Sequence, residues 1–459
     1  MPNSINSFEL YACLSYDIAC HNLQKGKFAL RILIISTFFP PLNSIASLRP
    51  YSWAKFWAEA GHEVSVLTTQ KMPSSCTSLT LENSGFRVHE IPYSDFLSTV
   101  KKSYQKDRKT QESQKSFSLK TLLWNSFQKL RTKTGIFNAC RMPDLTDLWI
   151  NPAYKYIEKQ GTWDLIVSTS GPYAVHVVAQ KLKKQGLGRK WIADFRDSWS
   201  DNYIYPGIFP FNCFENWWER KLMQSADLLT TVSTPFAKDF EKKYPQKKVL
   251  TLENGFDLSD REKLPVESIF PEDGKFRIVH TGSIYSAKRD PSPLFQAIAE
   301  MQKDPHDLAL LNKLEVIFVG EQLGNLHTLV EKYQVSQWVK NYGMRKREDA
   351  LRMQRDAHAL LFLPWTDLDF PGVLTGKIFE YLFSGTPTIA VGGKGIEQSQ
   401  QLILDAQAGE VLENVEKIKL YLQNKLDCVV KEYVQPCRTI LSQYDRKTLA
   451  LKLLASIQI

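Results

Sequence analysis

Apolar residues along this chain gather in short runs rich in Ile, Leu and Val, each followed by a loop and a stretch with helical spacing. That is the alternation of a parallel sheet flanked by helices. Residues 31–36 (RILIIS) predict a first strand, a helix follows through Trp53, Phe56 and Trp57 to Gly61, and residues 63–68 predict a second strand. Further strands are expected at 164–168 (DLIVS), 190–194 (KWIAD) and 228–232 (LLTTV). A polar stretch with scattered proline, 257–275, precedes a fresh series at 276–280, 314–319, 359–363 and 388–391, with a helix over 293–301. Two series of this kind predict an α/β chain with two Rossmann-like, doubly wound domains. Residues 1–27 show no period and read as an extension. The first domain is expected over 28–262, the second over 275–437, and a closing amphipathic segment over 438–459.

The stretch 369–387 (DFPGVLTGKIFEYLFSGTP) carries the clearest chemistry. Its loop, Gly372, Val373, Leu374, Thr375 and Gly376, offers backbone N–H groups where a helix begins, and Lys377 adds an ammonium, so both can meet one anion. A diphosphate fits that description. Glu380 stands about one turn further on, where a carboxylate can accept hydrogen bonds from the vicinal hydroxyls of a ribose. Ile378, Phe379, Tyr381 and Leu382 would look the same on any buried helix, with Ser384-Gly385-Thr386-Pro387 as its stop, so a purely structural helix stays open at this point. The loop after the first strand of the second domain adds Gly282, Lys288 and Arg289, cations suited to the charge that gathers on a departing diphosphate.

In the first domain, His176 follows a Ser-Gly-Pro-Tyr loop and is a candidate acid/base or acceptor contact. Asp194 stands at a strand's carboxyl end in ADFRDSW and is a second candidate, with a salt bridge to Arg196 or a helix cap as the alternative. Asp367-Leu368-Asp369 spells D-x-D, a short match to a divalent-metal site, but a loop aspartate capping a turn reads the same way.

GKIFEYLFSGTP resembles the donor-binding segment of family-4 retaining glycosyltransferases of the GT-B fold, and FPPLNSIASLRPYSWAKFWAEAGHEVSVLT, ADFRDSW, ENGFD, HTGSIY and FVGE are similar to other segments of that family in the same order. The resemblance implies a GT-B architecture, two Rossmann-like domains facing a central cleft, with a terminal helix that crosses back to the first domain. It implies that Glu380 holds the nucleotide ribose, that Lys377 and the preceding backbone hold the diphosphate, and that no metal is required. The family often places another glutamate eight residues before the ribose one; here that position is Gly372. Its closest likeness is to bacterial members that build surface polysaccharides, which implies retaining, hexosyl-type transfer from a nucleotide sugar to a lipid-linked saccharide. A nucleotide-sugar epimerase of the same build and a non-catalytic scaffold on a degenerate transferase fold are the rivals.

Charge adds a location. The formal charge is +9, and residues 101–135 hold ten basic side chains against Asp107 and Glu112. Leu122, Leu123, Trp124, Phe127 and Leu130 recur there at helical spacing, which predicts a helix lying on an anionic membrane surface, with a core-packed helix and a solvated charge run as the alternative. No run of 18 apolar residues and no leader-like start is present, so a cytoplasmic protein held peripherally at the inner face of the cell membrane is expected. Seven scattered cysteines without C-x-x-C spacing argue against a disulfide framework and a zinc site, and no P-loop or nucleic-acid motif occurs.

Overall fold

The computed structural model describes residues 29–71, 79, 85–93, 119–138, 140–202, 205–284, 289–321, 323–365, 374–393, 395 and 397–457, with the side chains of 119–125 excepted. The chain divides into two compact units. One comprises residues up to Val232, Phe236–Leu252 and Leu449–Ile459; the other comprises Ser233–Pro235 and Glu253–Thr448.

The first unit holds seven parallel strands: β1 (Arg31–Ile35), β2 (Glu63–Thr69), β3 (Arg87–Ile91), β4 (Trp163–Ser170), β5 (Gly188–Phe195), β6 (Leu228–Thr231) and β7 (Val249–Thr251), in the spatial order β3-β2-β1-β4-β5-β6-β7. The direction of winding reverses between β1 and β4. Helix Ile45–Glu59 lies against one face, burying Trp53, Phe56 and Trp57 with Ile32, Ile34 and Val66, and the other face is covered by helices that include Ala174–Lys184. The last turns of the chain complete the first of these layers. Leu449, Ala450, Leu453 and Leu454 of helix Arg446–Ala455 join the same cluster, and the Trp57 indole N–H donates to the Ala450 carbonyl at 2.8 Å.

The second unit repeats the plan with six parallel strands: β8 (Phe276–Thr281), β9 (Leu314–Val319), β10 (Val339–Gly343), β11 (Ala359–Phe362), β12 (Thr388–Val391) and β13 (Gly409–Leu412), ordered β10-β9-β8-β11-β12-β13. Its winding reverses between β8 and β11. In an open parallel sheet the crevice at that point, outside the carboxyl ends of the two strands, is where ligands bind. Helix Gly376–Ser384, which carries Lys377 and Glu380, packs over this sheet through Ile378, Phe379, Leu382 and Phe383. It stops where the Ser-Gly-Thr-Pro pattern predicts. Gly385 takes the left-handed conformation (φ 76°), and the Phe383 carbonyl at that end accepts a hydrogen bond from Arg261.

Among the described residues no helix is long and apolar enough to cross a membrane.

Candidate functional site

Three ties fasten the start of helix Gly376–Ser384 to the carboxyl end of β8. The Thr281 N–H donates to the Tyr381 hydroxyl at 2.9 Å. Gln354, on helix Arg347–Asp356, bridges Thr281 Oγ1 at 2.8 Å and Glu380 Oε2 at 3.2 Å. The Lys377 side chain lies across Gly282, so close that a Cβ added to this glycine would come within 1.8 Å of the lysine Cε and Nζ. Gly282 is left-handed (φ 111°), and its own carbonyl is packed so tightly on Gly320 that a Cβ there would stand 2.6 Å from it. These glycines therefore give Lys377 its place over the strand end. Gly282→Ala is expected to move the lysine and reproduce its loss: anion binding should drop as in Lys377→Ala, and the melting temperature should fall as well, because alanine is strained at φ 111°.

The electrostatics follow from crowding. Arg289, 6% exposed, leans its guanidinium toward the Trp365 ring (5.8 Å to the centroid). Burial, with the Arg289 charge adding to it, pulls the Lys377 ammonium down to a pKa of about 7 against the opposing pull of Glu380. Two cations are thus held close together at a strand switch point, and their mutual repulsion suits the place to an anion. Helix Gly376–Ser384 begins without a side-chain cap: Thr375 is extended, its buried hydroxyl has no partner, and the Ile378 N–H turns back to the Thr375 carbonyl at 3.2 Å.

Glu380 is held from the other side. Arg347 Nη1 donates to its Oε1 at 2.6 Å while Arg347 Nη2 reaches Asp260 at 2.9 Å. Burial pushes the Glu380 carboxyl up, but Arg347 and the Gln354 hydrogen bond outweigh it and keep the group below its ordinary range. Burial likewise opposes the Arg347 charge, and the two carboxylates more than compensate. A carboxylate has about four lone-pair positions. The Arg347 and Gln354 bonds leave two for hydroxyl donors. His280, next to last in β8, is neutral: burial and then Lys377 depress it to about 3, and its Nδ1–H donates to the Leu361 carbonyl at 2.9 Å.

The sequence candidates thus separate. Lys377, Glu380, Gly282, Arg289, Leu374, Thr375 and Gly376 meet around the ends of β8 and β11; Lys288, Gly372 and Val373 lie outside the described residues, as do Asp367 and Asp369. Arg347 and Gln354 escaped the sequence reading, because nothing local distinguishes them from other polar residues of an amphipathic helix.

Two candidates of the first unit need correction. His176 is fully buried and does not present an acid or base to a ligand. Its Nδ1 is 2.7 Å from Ser168 Oγ, its ring packs on Phe195 at 4.6 Å between centroids, and burial depresses its pKa to about 3. A neutral ring in an apolar setting is a packing group. Asp194 does not pair with Arg196 but with Arg49, through contacts of 2.7 and 3.1 Å, and it also accepts from Thr169 and Thr230. With four hydrogen bonds and no exposure, its carboxylate is an anchor between β5 and helix Ile45–Glu59. Arg196 instead donates to the carbonyls of Ser170 and Gly171.

Among the described residues one group of three side chains could hold a metal ion, Asp304, His306 and Asp307, and Asp304 already caps helix Pro305–Leu311 by accepting the N–H groups of the other two.

No protein-family model and no curated protein matches the sequence. Solved structures do match in shape. HepE from Anabaena, in complex with UDP and glucose, aligns with TM-score 0.57 at 16% identity over 93% of this chain and 100% of its own. Sucrose-phosphate synthase from Thermosynechococcus elongatus aligns at 0.55 and 13%, covering 92% and 96%. WaaG, a glycosyltransferase involved in lipopolysaccharide biosynthesis, aligns at 0.51 and 13%, covering 93% and 95%. At such identities the likeness speaks for architecture: two parallel sheets of seven and six strands with their covering helices, the α/β fold of the GT-B glycosyltransferases.

Proposed function

We propose that this protein is a glycosyltransferase that moves a sugar from a nucleoside diphosphate donor to an acceptor. The observation that carries this reading is the meeting of Lys377, Arg289 and an uncapped helix start with Glu380 at the switch point of the second sheet. The cations and N–H groups suit a diphosphate, and Glu380 suits the ribose that such a diphosphate bears. When the bond between the anomeric carbon and the phosphate oxygen breaks, negative charge gathers on the diphosphate; Lys377 and Arg289 stand where that charge would be met without a metal ion. HepE, similar in fold, is described with UDP-glucose bound.

The finer reading follows the family resemblance of GKIFEYLFSGTP: retention at the anomeric carbon, a hexosyl donor, and a lipid-linked saccharide acceptor in surface polysaccharide synthesis at the inner face of the membrane. An enzyme acting on membrane-borne saccharides has reason to carry basic helix Leu119–Thr134.

Glu380→Ala is expected to weaken UDP and UMP alike, by about 1.5–3 kcal/mol each, because both share the ribose and a hydrogen bond to a charged group is lost. Titration calorimetry reads both. Unchanged affinities would remove Glu380 from the site and the donor assignment with it. If donor turnover is followed, transfer should continue in EDTA; abolition by the chelator and rescue by manganese would favour D-x-D metal chemistry. Products that keep the sugar on its nucleotide would favour the epimerase.

A further inference from the structure

Helix Phe211–Met223 has two unlike faces. Both of its carboxylates point inward. Glu215 is fully buried and bridges to Arg141 at 2.7 Å, and Glu219, 1% exposed, accepts from Tyr244 at 2.6 Å and Lys243 at 3.0 Å. The outer face carries Phe211, Phe214 and Trp217 at three-residue spacing, 40%, 46% and 55% exposed, and Phe209 stands just before the helix at 79%. The charged side chains this helix exposes are Arg220 and Lys221, and the Lys221 ammonium lies 4.8 Å from the Trp217 ring centroid.

A second element adjoins it. Basic helix Leu119–Thr134 ends where Gly207 N–H donates to the Thr134 carbonyl at 3.0 Å. Arg141 ties the two together: its backbone N–H donates to the carbonyl of Gly135, just past that helix, at 3.2 Å, and its side chain donates to Glu215 and to the Tyr205 and Ser200 carbonyls. The approach is too close for side chains, since a Cβ on Gly135 would stand 2.5 Å from Tyr205 Cβ and one on Gly207 would stand 2.7 Å from Arg141 Nη2. Lys129 and Lys133 of that helix are exposed, and Leu130 is 40% exposed. Phe127, by contrast, is half-buried with its ring 5.8 Å from Phe137, so the anchor expected from the sequence at this position is turned onto its own unit.

A soluble surface rarely leaves so many large aromatic rings together in water. An aromatic ridge on a helix that turns both of its own carboxylates inward and shows cations at its end matches the headgroup layer of an anionic bilayer, where rings sit at the boundary and lysines meet phosphate. A protein partner would not require that one-sided charge. We propose that the ridge Phe209, Phe211, Phe214 and Trp217, rimmed by Arg220 and Lys221 and joined through Arg141 to the basic helix, is the surface by which this protein docks on anionic lipid. The proposal rests on the membrane reading above and adds to its apolar stripe residues that the charge pattern did not mark; the side chains of Leu122, Leu123 and Trp124 lie outside the described ones.

The test is co-sedimentation of the full chain with vesicles of phosphatidylcholine, with and without phosphatidylglycerol. The parent is expected to bind the anionic vesicles and to be released by salt. Phe209→Ser, Phe214→Ser and Trp217→Ser combined should lower partitioning at least about tenfold, and Arg220→Glu with Lys221→Glu should lower it several-fold. All five side chains are exposed, so the melting temperature and UDP affinity should remain parental. Trp217→Phe should keep binding yet lose part of the tryptophan quenching produced by brominated lipid. A parent that ignores anionic vesicles would overturn both the proposal and the membrane reading. Parental partitioning of the serine variant, with a parent that binds, would overturn the surface alone. So would a parent dimer that the serine variant dissociates without any change in lipid binding.

Discussion

Affinity for a nucleoside diphosphate is expected to fall about tenfold per pH unit above pH 7 and to lose that dependence in Lys377→Ala. The reason is the depressed ammonium, held at about 7 by burial and by Arg289. Below that pH the cation already exists in the free protein and binding needs no proton. Above it the free lysine is neutral, whereas a bound diphosphate restores its charge, so binding takes up a proton and weakens as pH rises. At about pH 8 nearly one proton should enter per ligand bound, and phosphate itself contributes little there, with its second ionisation near 6. Calorimetry in buffers of different ionisation enthalpy counts that proton. At low pH, Lys377→Ala should lose roughly 1.5–3 kcal/mol for UDP and almost nothing for uridine. A flat profile between pH 7 and 9 in the parent, or an equal loss for uridine, would take Lys377 out of contact with the phosphates.

Arg347→Ala should be the more damaging change to the fold. Its guanidinium joins Asp260 to Glu380, and the three side chains are only 16%, 18% and 12% exposed. Removing the shared cation leaves two carboxylates close together, compensated only by the Gln354 amide on Glu380 and by Arg446, 3.9 Å from Asp260. Breaking a buried pair in this way costs roughly 3–5 kcal/mol, and the residual exposure places this case near the lower end. Glu380→Ala is gentler, because Arg347 keeps Asp260. The ordering is the test: a melting temperature reduced by several degrees in Arg347→Ala, clearly more than in Glu380→Ala, and partial recovery in the double variant Arg347→Met/Glu380→Gln. Equal melting temperatures for the single variants would mean that Arg347 is not the clamp that the geometry describes. UDP affinity should also fall in Arg347→Lys, which keeps charge but cannot bridge two carboxylates with a planar fork.

The interior of both sheets was legible from the residues because buried parallel strands are apolar on both faces. RILII, WDLIVSTS, LEVIFV and ALLF are almost wholly buried and read as strands without help. The strands that the pattern missed are β3, β7, β10 and β13, and these are the outer strands of the two sheets. Their segments, RVHEI, VLT, VKNYG and GEVL, are short or mixed in polarity because one side of each faces no further strand, and such sequences look like loops until a neighbour is known.

By itself the sequence determined the helix that begins at Gly376, its glycine stop, and the placing of Lys377 one turn from Glu380, since each depends on residues within a few positions of one another. Tertiary structure decided what those side chains meet. Arg347 reaches Glu380 across 33 residues, Arg49 reaches Asp194 across 145, and Gly282 comes to lie under Lys377 only because β8 and β11 are neighbours. Such partners are chosen by sheet order, which local spacing does not encode. Burial made the other decision: it turned His176 and Asp194 into core, and it left the aromatic ridge of helix Phe211–Met223 in water, because the opposite face of that helix is held inward by Glu215 on Arg141 and Glu219 on Lys243 and Tyr244.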